Sequence, residues 1–289
     1  MRSLAVYPRI EHPCFVSCRG QAGCDTRRVP GRLRCSVREQ AARRQRGAVQ
    51  PISSAGWEQI GDEIHVWQTA LDANGQNLGE LESTLSPEEI ARADRFHFVK
   101  DRNRYVVARG LLRKLLGRYL HQAPATLEFS YGEFGKPSLA RGDVASRICF
   151  NLSHSSSLIV YAFARGRNLG IDVEQVRPES AGEGIAQRYF SKREVSDLRM
   201  LPPEARVEGF FHCWTRKEAY LKATGMGLQI PLDSFSVSLL PDEPAQFHGG
   251  VETRWHLAAF HPAEGYVAAV VYDGAPCSIK YFSTDDHLK

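Results

Sequence analysis

Apolar and polar positions follow two periods along this chain. Residues 62–70 (DEIHVWQTA) alternate in their middle, which predicts a strand. Ser86-Pro87-Glu88-Glu89 then marks a helix start: Ser86 can cap, Pro87 suits the first helical position, and Glu89 completes a capping box. A second helix is predicted over about 101–120, with Asp101 as cap and Tyr105, Leu112, Leu115 and Leu116 as its apolar stripe. A short strand near 126–131 leads into the turn Tyr131–Pro137. Residues 147–151 read as a strand followed by a polar loop over 152–157, and 158–164 and 169–176 read as a hairpin turning at 165–168. A polar helix over about 182–199 ends before Pro202-Pro203, and the long helix over about 204–224 stops at Gly225, a residue suited to a left-handed cap. Strands are predicted at 234–239, 254–260 and 266–272. Both halves mix helices with antiparallel strands, so the expected class is α+β, with two similar subdomains divided as 57–160 and 161–289.

The first 56 residues stand outside this pattern. They hold eleven Arg, no Lys and three acids, a balance of +8, whereas the rest of the chain carries −4. Without sustained periodicity such a segment buries too little apolar surface to offset the entropy of ordering. It is expected to be a disordered basic extension, an organelle-targeting segment, or sequence read from an early start codon. Four of the seven cysteines (Cys14, Cys18, Cys24, Cys35) lie in it without the paired C-x2-C spacing of zinc sites. No aromatic or motif support accompanies its charge, so nucleic acid is not expected as a partner. Over the whole chain, 43% hydrophobic and 24% charged residues describe an ordinary globular protein. No apolar run approaches the ~18 residues of a membrane span. The expectation is a cytoplasmic monomer, organelle targeting left open.

Three groups of polar residues carry candidate chemistry. On a strand, Leu169, Ile171 and Val173 face one side while Asp172 and Glu174 face the other, with Cα atoms about 6.6–7 Å apart. Two carboxylates so placed can hold one hard cation, and magnesium favours few carboxylates together with phosphate oxygens. The same alternation also describes the solvated face of a half-buried hairpin. In the long helix, Phe211, Thr215, Glu218 and Lys222 share a stripe beside the apolar Phe210, Trp214 and Leu221. Glu218 and Lys222 could serve a metal–phosphate site, form a surface ion pair, or, for Thr215 and Glu218, a capping box. Finally, Gly135-Lys136-Pro137 and Asn151-Leu152-Ser153-His154 are anion-friendly segments. The first is no Walker loop, because Pro137 stands where Ser or Thr is needed. Ser153 beside His154 lacks the G-x-S-x-G elbow of a hydrolase.

In this order and spacing, GKP, FNLSHS, LGIDVEQ and WTRKEAYLK closely resemble the Sfp-type 4′-phosphopantetheinyl transferases. Their G-(I/V)-D-(I/V)-E and W-(S/T)-x-K-E-x-x-x-K motifs are complete here, and RYFSKREVSDL, IPLDSFSVSL and SPEEIARADRF agree. The resemblance spans about 62–272. It implies an α+β pseudodimer enclosing coenzyme A between its subdomains, and Mg²⁺-dependent transfer of the phosphopantetheine arm to a serine of an acyl, peptidyl or polyketide carrier protein, with release of 3′,5′-ADP. By position, Asp172, Glu174 and Glu218 would hold Mg²⁺ with the pyrophosphate. Glu218, or a water beside it, would take the serine proton, and Lys222 would neutralise charge on the leaving phosphate. Gly135, Lys136, Pro137, Ser153 and His154 would contact the nucleotide end, helped by Arg92 and Arg104. One departure is Glu89, where some relatives carry a base. Two other classes stay open: a different Mg²⁺-dependent phosphoryl-transfer enzyme such as a nuclease, and a non-catalytic carrier-binding relative.

Overall fold

A computed structural model describes residues 59–72, 77–140, 148–241 and 243–287; the extension expected over 1–56 lies outside them. The first half contributes β1 (Ile64–Ala70), α1 (Leu78–Ser83), α2 (Pro87–Ala93), α3 (Val99–Leu120), β2 (Phe129–Tyr131), β3 (Pro137–Leu139), β4 (Ile148–Ser155) and β5 (Leu158–Arg165). The second contributes β6 (Leu169–Gln175), α4 (Glu183–Tyr189), α5 (Lys192–Met200), α6 (Pro203–Thr224), β7 (Ser236–Val237), β8 (Phe247–Gly249), β9 (Trp255–Phe260) and β10 (Tyr266–Asp273), followed by β11 (Ile279–Ser283) and the short α7 (Thr284–His287).

Strand alternation sorts these elements into four layers. Ile64 and Val66 of β1 and Val160, Ala162 and Ala164 of β5 meet Ile171 and Val173 of β6 and Ala268 and Val270 of β10 in a core between two sheets. On the outer side, Trp67, Tyr161 and Phe163 pack with Val107, Leu111 and Leu115 of α3. Val267, Ala269 and Val271 of β10 pack with Phe211 and Ala219 of α6. The strand order β1-β5-β4 in one sheet is repeated as β6-β10-β9 in the other.

Helix chemistry repeats as well. Ser86 and Glu89 form the expected capping box of α2, and Ser191 and Glu194 form one on α5. Each glutamate then pairs with the fifteenth residue of a 22-residue helix: Glu89 with Arg113 of α3 at 2.6 Å, Glu194 with Lys217 of α6 at 2.9 Å. The pseudodimer inferred from the resemblance is therefore present in topology and in side chains.

Several elements differ from expectation. The polar loop read over 152–157 is strand through Ser155, because its alternate side chains bond to β6 instead of solvent. Strand β6 is not the hairpin partner of β5: β1 and β4 already occupy both edges of β5, and β6 pairs with β10. The division at 160/161 falls inside β5; the chain crosses between sheets at 166–168, and β11 returns to pair in parallel with β1. The helix over 182–199 is two helices, since Ser191 starts a new one with its own cap. Asp101 lies inside the first turn of α3, whose N-terminal flank is Phe98. The strand at 234–239 is reduced to Ser236–Val237.

Candidate active site

The site forms where β6, the outer strand of its sheet, runs beside β4. An outer strand has backbone N–H groups with no strand partner. Here β4 supplies side chains to them: Asn151 Oδ1 accepts from Ile171 N at 2.9 Å and Ser155 Oγ from Gln175 N at 3.1 Å. The same serine donates to Glu174 Oε2 at 2.6 Å, and Ser153 Oγ donates to Asp172 Oδ1 at 2.8 Å. Asn151, Ser153 and Ser155 thus form a polar ladder that fastens β6 and orients both of its acids.

On the opposite side α6 lies almost on the strand backbone. A Cβ on Gly170 would sit 2.2 Å from Ala219 O and Ala223 N, so only glycine permits this approach. The approach brings Lys222 Nζ to 2.6 Å from Asp172 Oδ1 and 2.9 Å from Ser153 Oγ. Asp172 is only 3% exposed, which removes the reading of a solvated hairpin face. Thr215 bonds back to Phe211 O within α6, which removes the capping-box reading. Lys222 meets Asp172 across 50 residues of sequence in place of a surface pair with Glu218.

Three acids face one ammonium. Burial, and then the charge of Asp172, push Glu174 up to about 7. Burial, and then Asp172, likewise push Glu218 up to about 7, with Lys222 opposing. Asp172 Oδ2 is buried without any protein partner. An orphaned carboxylate oxygen on Asp172, whose charge raises two neighbouring glutamates, is oxygen-donor chemistry of the kind a hard divalent cation takes, so the residue types fit magnesium.

The other expected residues divide. Ser153 joins the cluster, and alternation along β4 sends the exposed His154 to the opposite face, with Leu152 and Phe150. Lys136 donates to Leu169 O at 3.0 Å and Ala223 O at 2.9 Å, tying the turn of Gly135 and Pro137 to β6 and to the end of α6. Burial lowers its pKa to about 8. Arg104 pairs with Asp72 at 2.9 Å, and Arg92 lies 5.6 Å from the ring centre of Tyr105. Both are bonded within the first half, outside the carboxylate cluster. Asn151, expected in an anion-friendly segment, instead fastens β6, and Ser155 is a site residue that the sequence reading lacks; the N-x-S-x-S alternation is the signal for both.

The sequence is similar to known proteins over both halves. A profile described as 4′-phosphopantetheinyl transferase superfamily matches residues 168–271, and one described as 4′-phosphopantetheinyl transferase, N-terminal, matches residues 72–165. The 4′-phosphopantetheinyl transferase HetI of Nostoc sp. is 42% identical over 215 residues, covering 74% of this chain and 90% of the relative. The 4′-phosphopantetheinyl transferase Sfp of Bacillus subtilis is 37% identical over 160 residues, covering 55% of this chain and 69% of the relative. Among solved structures, the holo-[acyl-carrier-protein] synthase of Thermotoga maritima aligns with a TM-score of 0.32 at 23% identity, over 38% of this chain and 64% of that one. Among the described residues no helix is long and apolar enough to cross a membrane.

Proposed function

The chain belongs to the 4′-phosphopantetheinyl transferase family, and from that membership we propose that it moves the phosphopantetheine arm of coenzyme A to a serine of an apo acyl, peptidyl or polyketide carrier protein, with 3′,5′-ADP as the leaving group. The observation that carries this reading is the buried, unpartnered Asp172 Oδ2, on an acid whose charge raises both Glu174 and Glu218 and which Lys222 meets at 2.6 Å. Asp172, Glu174 and Glu218 would hold Mg²⁺, which supplies positive charge to the pyrophosphate of coenzyme A.

Glu218, or an ordered water beside it, receives the proton of the attacking serine; a carboxylate that also holds the cation is a weaker base, which favours the route through water. As the serine oxygen bonds to the arm's phosphorus, the bond from that phosphorus to the ADP oxygen breaks. Lys222 then stabilises the charge that grows on the departing ADP. Ser153 and Ser155 hold the two strand acids in position. Lys136, held by two backbone carbonyls, keeps one N–H for phosphate. It serves the nucleotide end of coenzyme A with Gly135, Pro137, His154, Arg92 and Arg104.

Incubation with coenzyme A, Mg²⁺ and a panel of apo carrier proteins, read by intact mass, tests this function. One carrier should gain the mass of a single arm. If no carrier is modified and coenzyme A also fails to raise the unfolding temperature, the reading is wrong and another phosphoryl transfer takes its place.

A further inference from the structure

Away from the carboxylate cluster, three more ligand-type side chains converge on the first half of α6. Glu208 and His212 are four residues apart and share a helix face. His261 reaches them from the turn that follows β9. One ligand atom from each lies within 4.8 Å of the other two. His261 Nε2 is 3.3 Å and His212 Nε2 is 3.6 Å from the same oxygen, Glu208 Oε1. Both separations exceed the ~2.9 Å of a good N–H···O bond. They approach the ~3.3 Å that separates ligands around a tetrahedral ion with bonds of about 2.0–2.1 Å. The two rings stand edge to face with centroids 5.5 Å apart, and both Nε2 atoms approach the same carboxylate oxygen. Neither buried Nδ1 has a hydrogen-bond partner among the described residues, so the polar contact of each ring is the shared Glu208 carboxylate facing Nε2.

We propose that Glu208, His212 and His261 bind a second divalent cation of the zinc type, in a site separate from the magnesium-type carboxylates. Two imidazoles and one carboxylate suit zinc, whereas magnesium takes oxygen ligands. Glu208 and Glu218 are ten residues apart, about 15 Å along the helix axis, so the two cations do not share ligands. Glu208 is exposed, which leaves a fourth position to water. The ion clamps α6 to the β9–β10 turn, whose geometry is set by the buried Pro262 and by Gly265 at φ +74°. It is a fastening for the helix that carries Glu218 and Lys222, and takes no part in the transfer.

The test uses the full chain with Cys14, Cys18, Cys24, Cys35, Cys149 and Cys277 changed to serine, which leaves only the fully buried Cys213. Zn²⁺ is titrated calorimetrically in excess Mg²⁺, and Co²⁺ is followed by its visible absorption. One Zn²⁺ should bind and raise the unfolding temperature. His261→Ala and Glu208→Gln, both at accessible positions, should each weaken binding by roughly 100-fold or more, because loss of a ligand exceeds the 10–100-fold cost of losing a second-shell partner. Asp172→Asn should leave zinc binding intact. Equal zinc affinity in His261→Ala and Glu208→Gln, loss of zinc in Asp172→Asn alone, or no zinc bound at all would each overturn the site. Unfolding temperatures of the metal-free variants show that they are folded.

Discussion

Beside α3, the buried carboxylate of Glu89 is answered on every side: Arg109 lies at 2.6 Å, Arg113 at 2.6 Å, and Ser86 N donates at 3.0 Å. Beneath α6, the equally buried Asp172 keeps one oxygen without a partner. Burial raises the pKa of Glu89, but Arg109, the Ser86 N–H and Arg113 outweigh it and hold the group below its ordinary value; Glu174 and Glu218 are pushed up. A satisfied buried charge holds a fold together, and an unsatisfied one waits for a ligand. Aligning the two seven-residue strands at their first residues shows how one frame supports both. Trp67 of β1 stands where β6 has Asp172, and His65 stands where it has Gly170. In the first half that space is filled: Trp67 Nε1 donates to Tyr119 Oη at 2.8 Å, and His65 Nδ1 lies 2.8 Å from the same oxygen. In the second half glycine admits the helix, and the strand acids meet Ser153, Ser155 and Lys222 in place of aromatic side chains.

The contrast is broken most directly by removing each carboxylate. Glu89→Ala should cost about 3–5 kcal/mol in denaturant unfolding, because two buried guanidinium groups lose their partner, while transfer per folded molecule stays normal. Asp172→Ala should do the reverse, lowering transfer by roughly 10³-fold, about 4 kcal/mol of barrier, with stability within about 1 kcal/mol of the parent. A stability loss at Asp172 as large as at Glu89 would end the distinction.

Lys222→Ala sharpens it within the second half. Single-turnover transfer should slow by roughly 10²–10³, with a much smaller change in KM for coenzyme A. An unchanged rate would return Lys222 to a purely structural ion pair.

Smaller effects follow from packing. Gly170→Ala drives a Cβ into the backbone of α6 and should cost about 3 kcal/mol, at the upper end for overpacking. Gly110→Ala in α3 meets Leu81 Cβ at 2.7 Å and Leu81 O at 2.9 Å, atoms at the backbone of α1 that cannot rotate away. A helix-propensity gain of about 1 kcal/mol offsets only part of an overpacking cost of about 1–3 kcal/mol, so that variant should be destabilised by less than Gly170→Ala.

The mildest test is pH. Without divalent cation, Glu174 and Glu218 bind protons more tightly folded than unfolded, so their stabilisation is complete below the ordinary value of 4.5 and is lost as pH rises through about 7. Glu89 has the opposite sign: its contribution is present above 4.5 and declines as pH falls through its lowered value. Thermal unfolding from pH 5 to 8 should therefore show a decline that Glu218→Gln flattens and Mg²⁺ reverses.

Local order was readable from the residues: the Ser86–Glu89 cap, the long helix to Gly225, the shared face of Asp172 and Glu174, and the stripe holding Glu218 and Lys222. These depend on backbone periods of 2 and 3.6 and on side chains within four positions of each other, which a linear string carries. Partners across the fold were not readable. Nothing local pairs β6 with β10 instead of β5, returns β11 to β1, or gives Lys222 to Asp172. The same holds for His261 beside Glu208, 53 residues away. Those choices follow from which strand edges remain free and from how closely one glycine lets a helix approach a sheet, and both exist only once the layers have packed.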